Sequence, residues 1–198
     1  MGYQQVDTLE ALRRRRARAG ASETTSGIFF QSIVDCVRAR RGAPQVEELL
    51  QGLKSRRWLG PLRYPVTDYL QLLEKGLLLI GTEAEFNDNL IQLGVDASRV
   101  FRESPVGQLF VRTNAGAVHR VMAGVRLAYA TTSSYGERSY ERLKDKEGLL
   151  SVKGDWVGPA GALGAILGGV PVIAESTLNA TVESVADDGA SYNIRVTW

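Results

Sequence analysis

Cysteine and histidine are almost absent from this chain of 198 residues, and their scarcity limits its chemistry. Cys36 is the only cysteine, so no internal disulfide can form, and a reducing, cytoplasmic location is the simplest prediction. His119 is the only histidine, and one His with one Cys cannot supply the matched ligands of a zinc site. We predict no metal site, and no set of nucleophile, base and orienting group indicates an enzyme.

Long apolar runs are also missing. No run of hydrophobic residues is longer than the four from Leu77 to Ile80, which is far too short to cross a bilayer. The segment from Leu9 to Ala19 is rich in arginine and lacks the apolar region of a secretory signal. We expect a soluble protein, or at most one peripheral to a membrane, and its 44% hydrophobic content is ordinary for a globular domain.

Positive charge is concentrated near the N-terminus. Residues 1–63 carry twelve Lys or Arg against six Asp or Glu, whereas the rest of the chain carries twelve against sixteen. The run Arg13, Arg14, Arg15 and Arg16 predicts contacts with phosphate or with an acidic partner. No aromatic residue interrupts this run, which disfavours single-stranded nucleic acid as the partner. We interpret residues 1–25 as a flexible basic leader ahead of one α+β domain, residues 26–198.

Helical spacing dominates residues 26–129, the predicted helical part of that domain. Ser26 can cap a helix from Gly27 to Arg41, in which Phe29, Phe30 and Ile33 share one face. Proline, glycine and capping signals place the other predicted helices at Pro44–Leu53, Pro65–Ile80, Thr82–Leu93 (ended by Gly94), Pro105–Val111 and Gly116–Ala128.

Period-two alternation dominates residues 130–198, the predicted sheet part. Tyr192, Ile194 and Val196 alternate with polar residues, and Asp187-Asp188-Gly189 precedes them as a hairpin turn should. The partner strand is expected between Val172 and Glu183. Two further strands are expected within Thr131–Leu143 and Ser151–Trp156, and the small, apolar stretch Pro159–Gly168 predicts an inserted helix. The fold class is therefore a helical part packed on a small antiparallel sheet, ordered strand, strand, helix, strand, strand.

Several short motifs carry a resemblance across roughly residues 27–198. They are Gly27-Ile28-Phe29-Phe30-Gln31-Ser32, Tyr64-Pro65, Ser104-Pro105-Val106-Gly107, Tyr135-Gly136-Glu137-Arg138, Gly154-Asp155 and Tyr192-Asn193-Ile194-Arg195-Val196-Thr197-Trp198. Together they resemble a paralogous family of unknown function that is abundant in myxobacteria. The C-terminal order of elements is also similar to a superfamily of 4-vinyl-reductase-type domains, haem-nitric-oxide-binding domains and TRAPP subunits. That similarity implies an apolar pocket between the helices and the sheet.

These observations favour a non-enzymatic binding or sensor module for a small apolar ligand or a protein partner, with a homodimer possible. The candidate ligand or partner contacts are Phe29, Phe30, Ile33, Cys36, Tyr135, Arg138 and Tyr140. One alternative is an adaptor whose basic leader docks on an acidic partner. The other is a haem-based gas sensor with His119 as axial ligand, although Tyr135-Gly136-Glu137-Arg138 lacks the serine and the spacing of the Tyr-x-Ser-x-Arg motif in haem-binding relatives. Apart from that alternative, no cofactor is predicted.

Overall fold

Helices form most of the chain that precedes the sheet. The computed structural model describes residues 4–53 and 55–198. In these ranges the helices before the sheet are α1 (Leu9–Arg18), α2 (Gly27–Arg41), α3 (Ala43–Leu50), α4 (Val66–Ile80), α5 (Phe86–Glu103), α6 (Pro105–Asn114) and α7 (Val118–Thr132). Two short strands, β1 (Thr24–Ser26) and β2 (Arg63–Pro65), pair antiparallel between them. No helix within the described ranges is long and apolar enough to cross a bilayer.

The C-terminal part is a four-stranded antiparallel sheet with one inserted helix. Its elements are β3 (Glu137–Lys144), β4 (Glu147–Lys153), α8 (Pro159–Ala174), β5 (Asn179–Val185) and β6 (Tyr192–Thr197). The strand order is β3-β4-β6-β5, and every neighbouring pair is antiparallel. This confirms the α+β fold class and the predicted order of strand, strand, helix, strand, strand.

Alternation along β4 and β6 fixes which face of the sheet meets the helices. Leu150 lies opposite Ile194 and Val152 lies opposite Tyr192, and all four side chains are buried. The intervening Asn193 and Arg195 are partly exposed on the other face. Because a one-residue slip would exchange the two faces, burial of this set specifies the register of the sheet.

The β5–β6 hairpin turns where it was predicted. Asp188 accepts hydrogen bonds from the backbone N–H groups of Ala190 and Ser191 at 2.8 and 2.9 Å, and Gly189 has φ +64°. The aspartate therefore satisfies the turn's backbone donors, while glycine takes the left-handed conformation that other residues avoid.

Two helices run further than the sequence predicted. Gly94 does not end its helix: it lies within α5, and a Cβ there would overlap the Gly161 carbonyl oxygen of α8. Its missing side chain serves close helix packing rather than termination. Likewise α8 continues to Ala174, so the predicted strand from Val172 begins only at Asn179.

The first strand of the sheet also starts later than expected. Thr131 and Thr132 end α7, and both hydroxyls donate to the Ala128 carbonyl at 2.7 and 3.2 Å. Such bonds to a carbonyl of the preceding turn satisfy threonine hydroxyls at helical positions, so these residues end α7 and do not begin a strand. The strand then begins at Glu137.

The described part of the N-terminal segment is packed on the domain rather than forming the flexible leader that we predicted. Leu9, Leu12 and Arg15 of α1 are buried. Arg13 and Arg16 both form ion pairs with Glu74 of α4. Helix α1 packs against α4 and both of its leucines are buried, which a count of arginines alone does not reveal.

Candidate functional site

A cavity of about 210 Å³ lies between α5, α7, α8 and the sheet. One water molecule needs only about 10–15 Å³ measured in the same way, so this space accommodates a small organic molecule. Aromatic and aliphatic side chains line most of it: Phe29, Phe101, Phe110, Val121, Val125, Leu150, Val152, Ile166 and Ile173. An apolar ligand would be sheltered from water on several sides.

Small residues on two facing helices form part of the cavity lining. Gly94 of α5 and Gly161, Ala165 and Gly169 of α8 all line the cavity. A Cβ at Gly94 would lie 2.9 Å from the backbone nitrogen of Ala165, so the two helices meet almost backbone to backbone. Residues with little or no side chain therefore allow α5 and α8, which both line the cavity, to pack closely together.

A buried polar network lines one part of the cavity. Arg138 Nη2 lies 3.2 Å from Asp155 Oδ2, and the Arg138 guanidinium stacks on the Tyr129 ring at 3.1 Å from its centroid. Tyr129 donates to Asp155 Oδ1 at 3.3 Å, and Tyr192 donates to Asp155 Oδ2. Asp155 thus receives one cation and two phenol donors, which compensates for its burial.

Arg138 retains hydrogen-bonding capacity that the protein does not use. Its side chain is only 4% exposed, yet Nη1 is buried without a hydrogen-bond partner. Nε of Arg102 is likewise buried without a partner, and both arginines line the cavity. Among the described lining residues the only carboxylate is Asp155, so the cavity wall carries an excess of positive charge.

The tyrosines of the cavity remain neutral phenols. Burial raises the pKa values of Tyr69, Tyr129 and Tyr135 far above the ordinary value of 10. Because a phenolate is disfavoured there, these side chains contribute hydroxyl groups and aromatic surface rather than charge.

The structure separates the predicted contact residues into two groups. Phe29, Tyr135 and Arg138 line the cavity. Phe30, Ile33 and Cys36 instead belong to the core, where Phe30 stacks on Trp58 at a centroid distance of 4.9 Å. Burial raises the pKa of the Cys36 thiol, which suits a packing role.

His119 and Tyr140 lie outside the cavity lining and contact each other. His119 Nδ1 is 2.6 Å from the Tyr140 hydroxyl, and Nε2 is 3.0 Å from the carbonyl oxygens of both Lys144 and Asp145. The imidazole also meets the edge of Trp198 at 4.5 Å. Both ring nitrogens are therefore engaged in tying α7 to the β3–β4 hairpin.

The arginine run does not form one phosphate-binding surface. Arg15 is 1% exposed, and Arg13 and Arg16 share Glu74, which leaves Arg14 as the exposed member without an ion pair in the described structure. Among the described residues, no three His, Cys, Asp or Glu side chains could together hold a metal ion.

Sequence reasoning missed Asp155, Tyr129 and Arg102 as cavity residues. The sequence marks Gly154-Asp155 only as a short motif, and Tyr129 has no signal beyond its place at the end of the predicted helical part, residues 26–129. A carboxylate in the loop after β4 and a tyrosine on α7 meet through tertiary packing, and no local spacing signals that meeting.

Several solved protein structures are similar to the fold of this chain. An H-NOX protein from S. oneidensis in the Fe(II)NO state is 14% identical, with 87% of this chain and 98% of that chain covered and a TM-score of 0.68. The unliganded Fe(II) H-NOX protein from K. algicida is 18% identical (87% and 95% covered, TM-score 0.65), and a point mutant of T. tengcongensis H-NOX is 13% identical (87% and 96% covered, TM-score 0.66). The chain therefore has the H-NOX fold.

The chain itself belongs to the DUF2378 family of proteins of unknown function, whose model matches residues 18–198. No curated protein matches its sequence. Membership of a family of unknown function and likeness to haem-nitric-oxide-binding domains agree with the resemblance seen in the sequence. The similarity to 4-vinyl-reductase-type domains and TRAPP subunits stays a prediction.

Proposed function

We propose that this chain is a non-enzymatic sensor module whose cavity binds a hydrophobic carboxylic acid. One observation carries the proposal: Arg138 lines an apolar cavity, and its guanidinium nitrogen Nη1, beside Gly136, is buried without a hydrogen-bond partner. A buried donor left unpaired costs free energy, and an acceptor on the ligand would recover it. The apolar lining would take up the rest of the molecule.

The charge balance of the cavity favours an acid over a neutral ligand. Arg138 and Arg102 contribute two positive charges to the lining, and Asp155 contributes the single negative charge among the described lining residues. A monoanion would bring the site to neutrality, a neutral ligand would leave the excess positive charge in place, and a cationic ligand would be repelled.

Haem is the hydrophobic acid that the fold suggests. Of the functions that the sequence left open, the likeness to H-NOX proteins favours the haem-based gas sensor over the other readings. Arg138 and the apolar walls suit a propionate and a porphyrin face. The bound haem would supply iron that can take a gas ligand.

The donor set of this chain does not fit iron ligation by histidine. No His, Cys or Met occurs among the described lining residues, and both nitrogens of His119 are occupied elsewhere. The lining tyrosines are held as neutral phenols, which disfavours a phenolate ligand. A haem in this cavity would therefore bind through its carboxylates and apolar faces.

A comparison of nonanoate with 1-nonanol tests the proposal. By isothermal titration calorimetry at pH 7, we expect nonanoate to bind more tightly by roughly tenfold or more, because a charge-assisted bond to Arg138 contributes about 1.5–3 kcal/mol. The double variant Arg138→Met, Asp155→Asn removes the ion pair without leaving a lone buried charge, and should abolish the preference. Arg99→Met, one helical turn from Arg102 and exposed, is the control. Equal binding of the two ligands by the wild type would refute the role of Arg138.

Titration with haemin tests the haem candidate separately. If haemin binds, its Soret band should have the same position and intensity in His119→Ala as in the wild type, because His119 lies outside the cavity lining. Circular dichroism checks that the variant is folded. Loss of the band in a folded His119→Ala protein would instead support histidine ligation and a rearranged helix α7.

A further inference from the structure

Two segments of the chain that lack acidic residues meet on one side of the molecule. Neither residues 49–67 nor residues 104–136 contain Asp or Glu. Arg63 Nη2 donates to the carbonyl oxygens of Ala130 and Thr131 at 2.9 and 3.1 Å, which brings the loop before β2 against the last turn of α7. The loop and the α6–α7 hairpin therefore form one surface, which we call the basic face.

Most of the large exposed aliphatic residues of the described chain lie on these two segments. They are Leu59 (62% exposed), Leu62 (51%), Val106 (44%), Leu109 (64%) and Leu127 (68%). Elsewhere the described exposed residues of this kind are scattered on four different elements: Leu78, Leu143, Val172 and Val185. A cluster of this size marks an interaction surface, whereas single exposed apolar residues do not.

The exposed aliphatic residues of the hairpin lie beside the contact between α6 and α7. A Cβ at Gly124 would lie 2.7 Å from the Phe110 ring, so these two positions mark where α7 faces α6. Phe110, Val121 and Val125 point toward the cavity. Val106 lies one turn before Phe110 on α6 and Leu127 lies one turn after Gly124 on α7, so these exposed residues flank the line along which the two helices meet.

Unpaired positive charge surrounds these aliphatic residues. The exposed arginines of the two segments are Arg56, Arg57, Arg63, Arg112, Arg120 and Arg126. None of them lies within 4 Å of a carboxylate in the described structure, whereas many other arginines of the chain do. The face thus combines apolar side chains with cations that have no acidic neighbours of their own.

We propose that the basic face docks on an anionic lipid bilayer. Leucine beside arginine is typical of surfaces that lie in the headgroup region of a membrane. Hot spots of protein interfaces are instead enriched in Trp and Tyr, and no described aromatic side chain of these segments is exposed. A second copy of the chain is disfavoured, because a two-fold contact through this face would oppose arginine to arginine. The docking is independent of what the cavity binds.

Flotation with lipid vesicles tests the proposal on the full chain. We expect binding to phosphatidylcholine vesicles that contain phosphatidylserine and none to phosphatidylcholine alone, with the binding weakened by salt. The triple variant Arg112→Gln, Arg120→Gln, Arg126→Gln should lower the partition coefficient on the order of 100-fold. The double variant Leu109→Ser, Leu127→Ser should lower it by roughly tenfold or more.

Arg14→Gln, Arg18→Gln, Arg38→Gln removes the same charge from α1 and α2 and should retain binding. Circular dichroism and thermal unfolding confirm that each variant is folded. Equal loss in this control variant would mean that only net charge matters, and would overturn the assignment of the face. Failure to bind either vesicle would overturn the proposal, and retention on immobilised polyglutamate would then indicate an acidic protein as the partner.

Discussion

Replacing Arg15 with alanine is expected to lower the free energy of unfolding by about 3–5 kcal/mol, because it leaves a buried carboxylate without its partner. Arg15 Nη2 binds both carboxylate oxygens of Asp7 at 3.0 and 2.9 Å. Its guanidinium also donates to the carbonyl oxygens of Trp156 at 3.1 Å, Val157 at 2.8 Å and Gly189 at 3.2 Å. One side chain thus joins α1 to the loop after β4 and to the β5–β6 turn.

Asp7 explains why the loss should be large. Burial raises the pKa of Asp7 above its ordinary value, and the charge and hydrogen bonds of Arg15 oppose that rise. Without Arg15 the carboxylate would have to take up a proton or bear the full cost of desolvation, and three carbonyl groups would lose their donor.

Urea unfolding at pH 7 measures the effect, and Arg14→Ala is the matched control. Arg14 is the exposed neighbour of Arg15 in the same helix, so its removal should change the free energy of unfolding by no more than about 0.5 kcal/mol. Similar small losses in both variants would show that the N-terminal segment contributes nothing through this network.

The second large effect is expected at the contact between α5 and α8. A Cβ at Gly164 would overlap the carbonyl oxygen of Ile91 and lie 2.7 Å from its carbonyl carbon. Gly164→Ala should therefore destabilise the protein by about 1–3 kcal/mol, because backbone atoms cannot move aside as a flexible side chain can. Thermal unfolding followed by circular dichroism is the measurement.

Gly169 in the same helix provides the control, because replacing it with alanine should not lower the stability of the protein. A Cβ there would meet Ser98 at 3.5 Å, an ordinary contact distance. Gly169→Ala should be neutral or stabilise by up to about 1 kcal/mol, since alanine favours a helix more than glycine does. If both variants behaved alike, close backbone packing of α5 on α8 would be contradicted.

The sheet could be predicted because its signal is local. Strict alternation in Tyr192–Thr197 and a turn at Asp188-Gly189 identify a hairpin without reference to the rest of the chain. The extents of α5 and α8 could not be predicted in the same way. Glycine ends many helices, and only the position of α8 shows that Gly94 is needed for a close approach instead.

The cavity could be predicted in outline and its chemistry could not. Phe29, Tyr135 and Arg138 were identified from an apolar helix face and a motif, and all three line it. Asp155, which pairs with Arg138, lies 17 residues further along the chain, and sequence gives no sign that the two charges share a buried site. In the same way, the sequence does not show that Arg15 of the arginine run is buried, because its burial depends on partners at the far end of the chain.

Methyl resonances of the protein during a titration with nonanoate test the central claim most directly. If the ligand enters the cavity, the methyl groups of Leu150, Val152 and Ile166 should shift, while those of Ile33 and Leu49, buried in the core away from the cavity lining, should not. Shifts confined to surface residues, or no shifts at concentrations where calorimetry detects binding, would contradict the account.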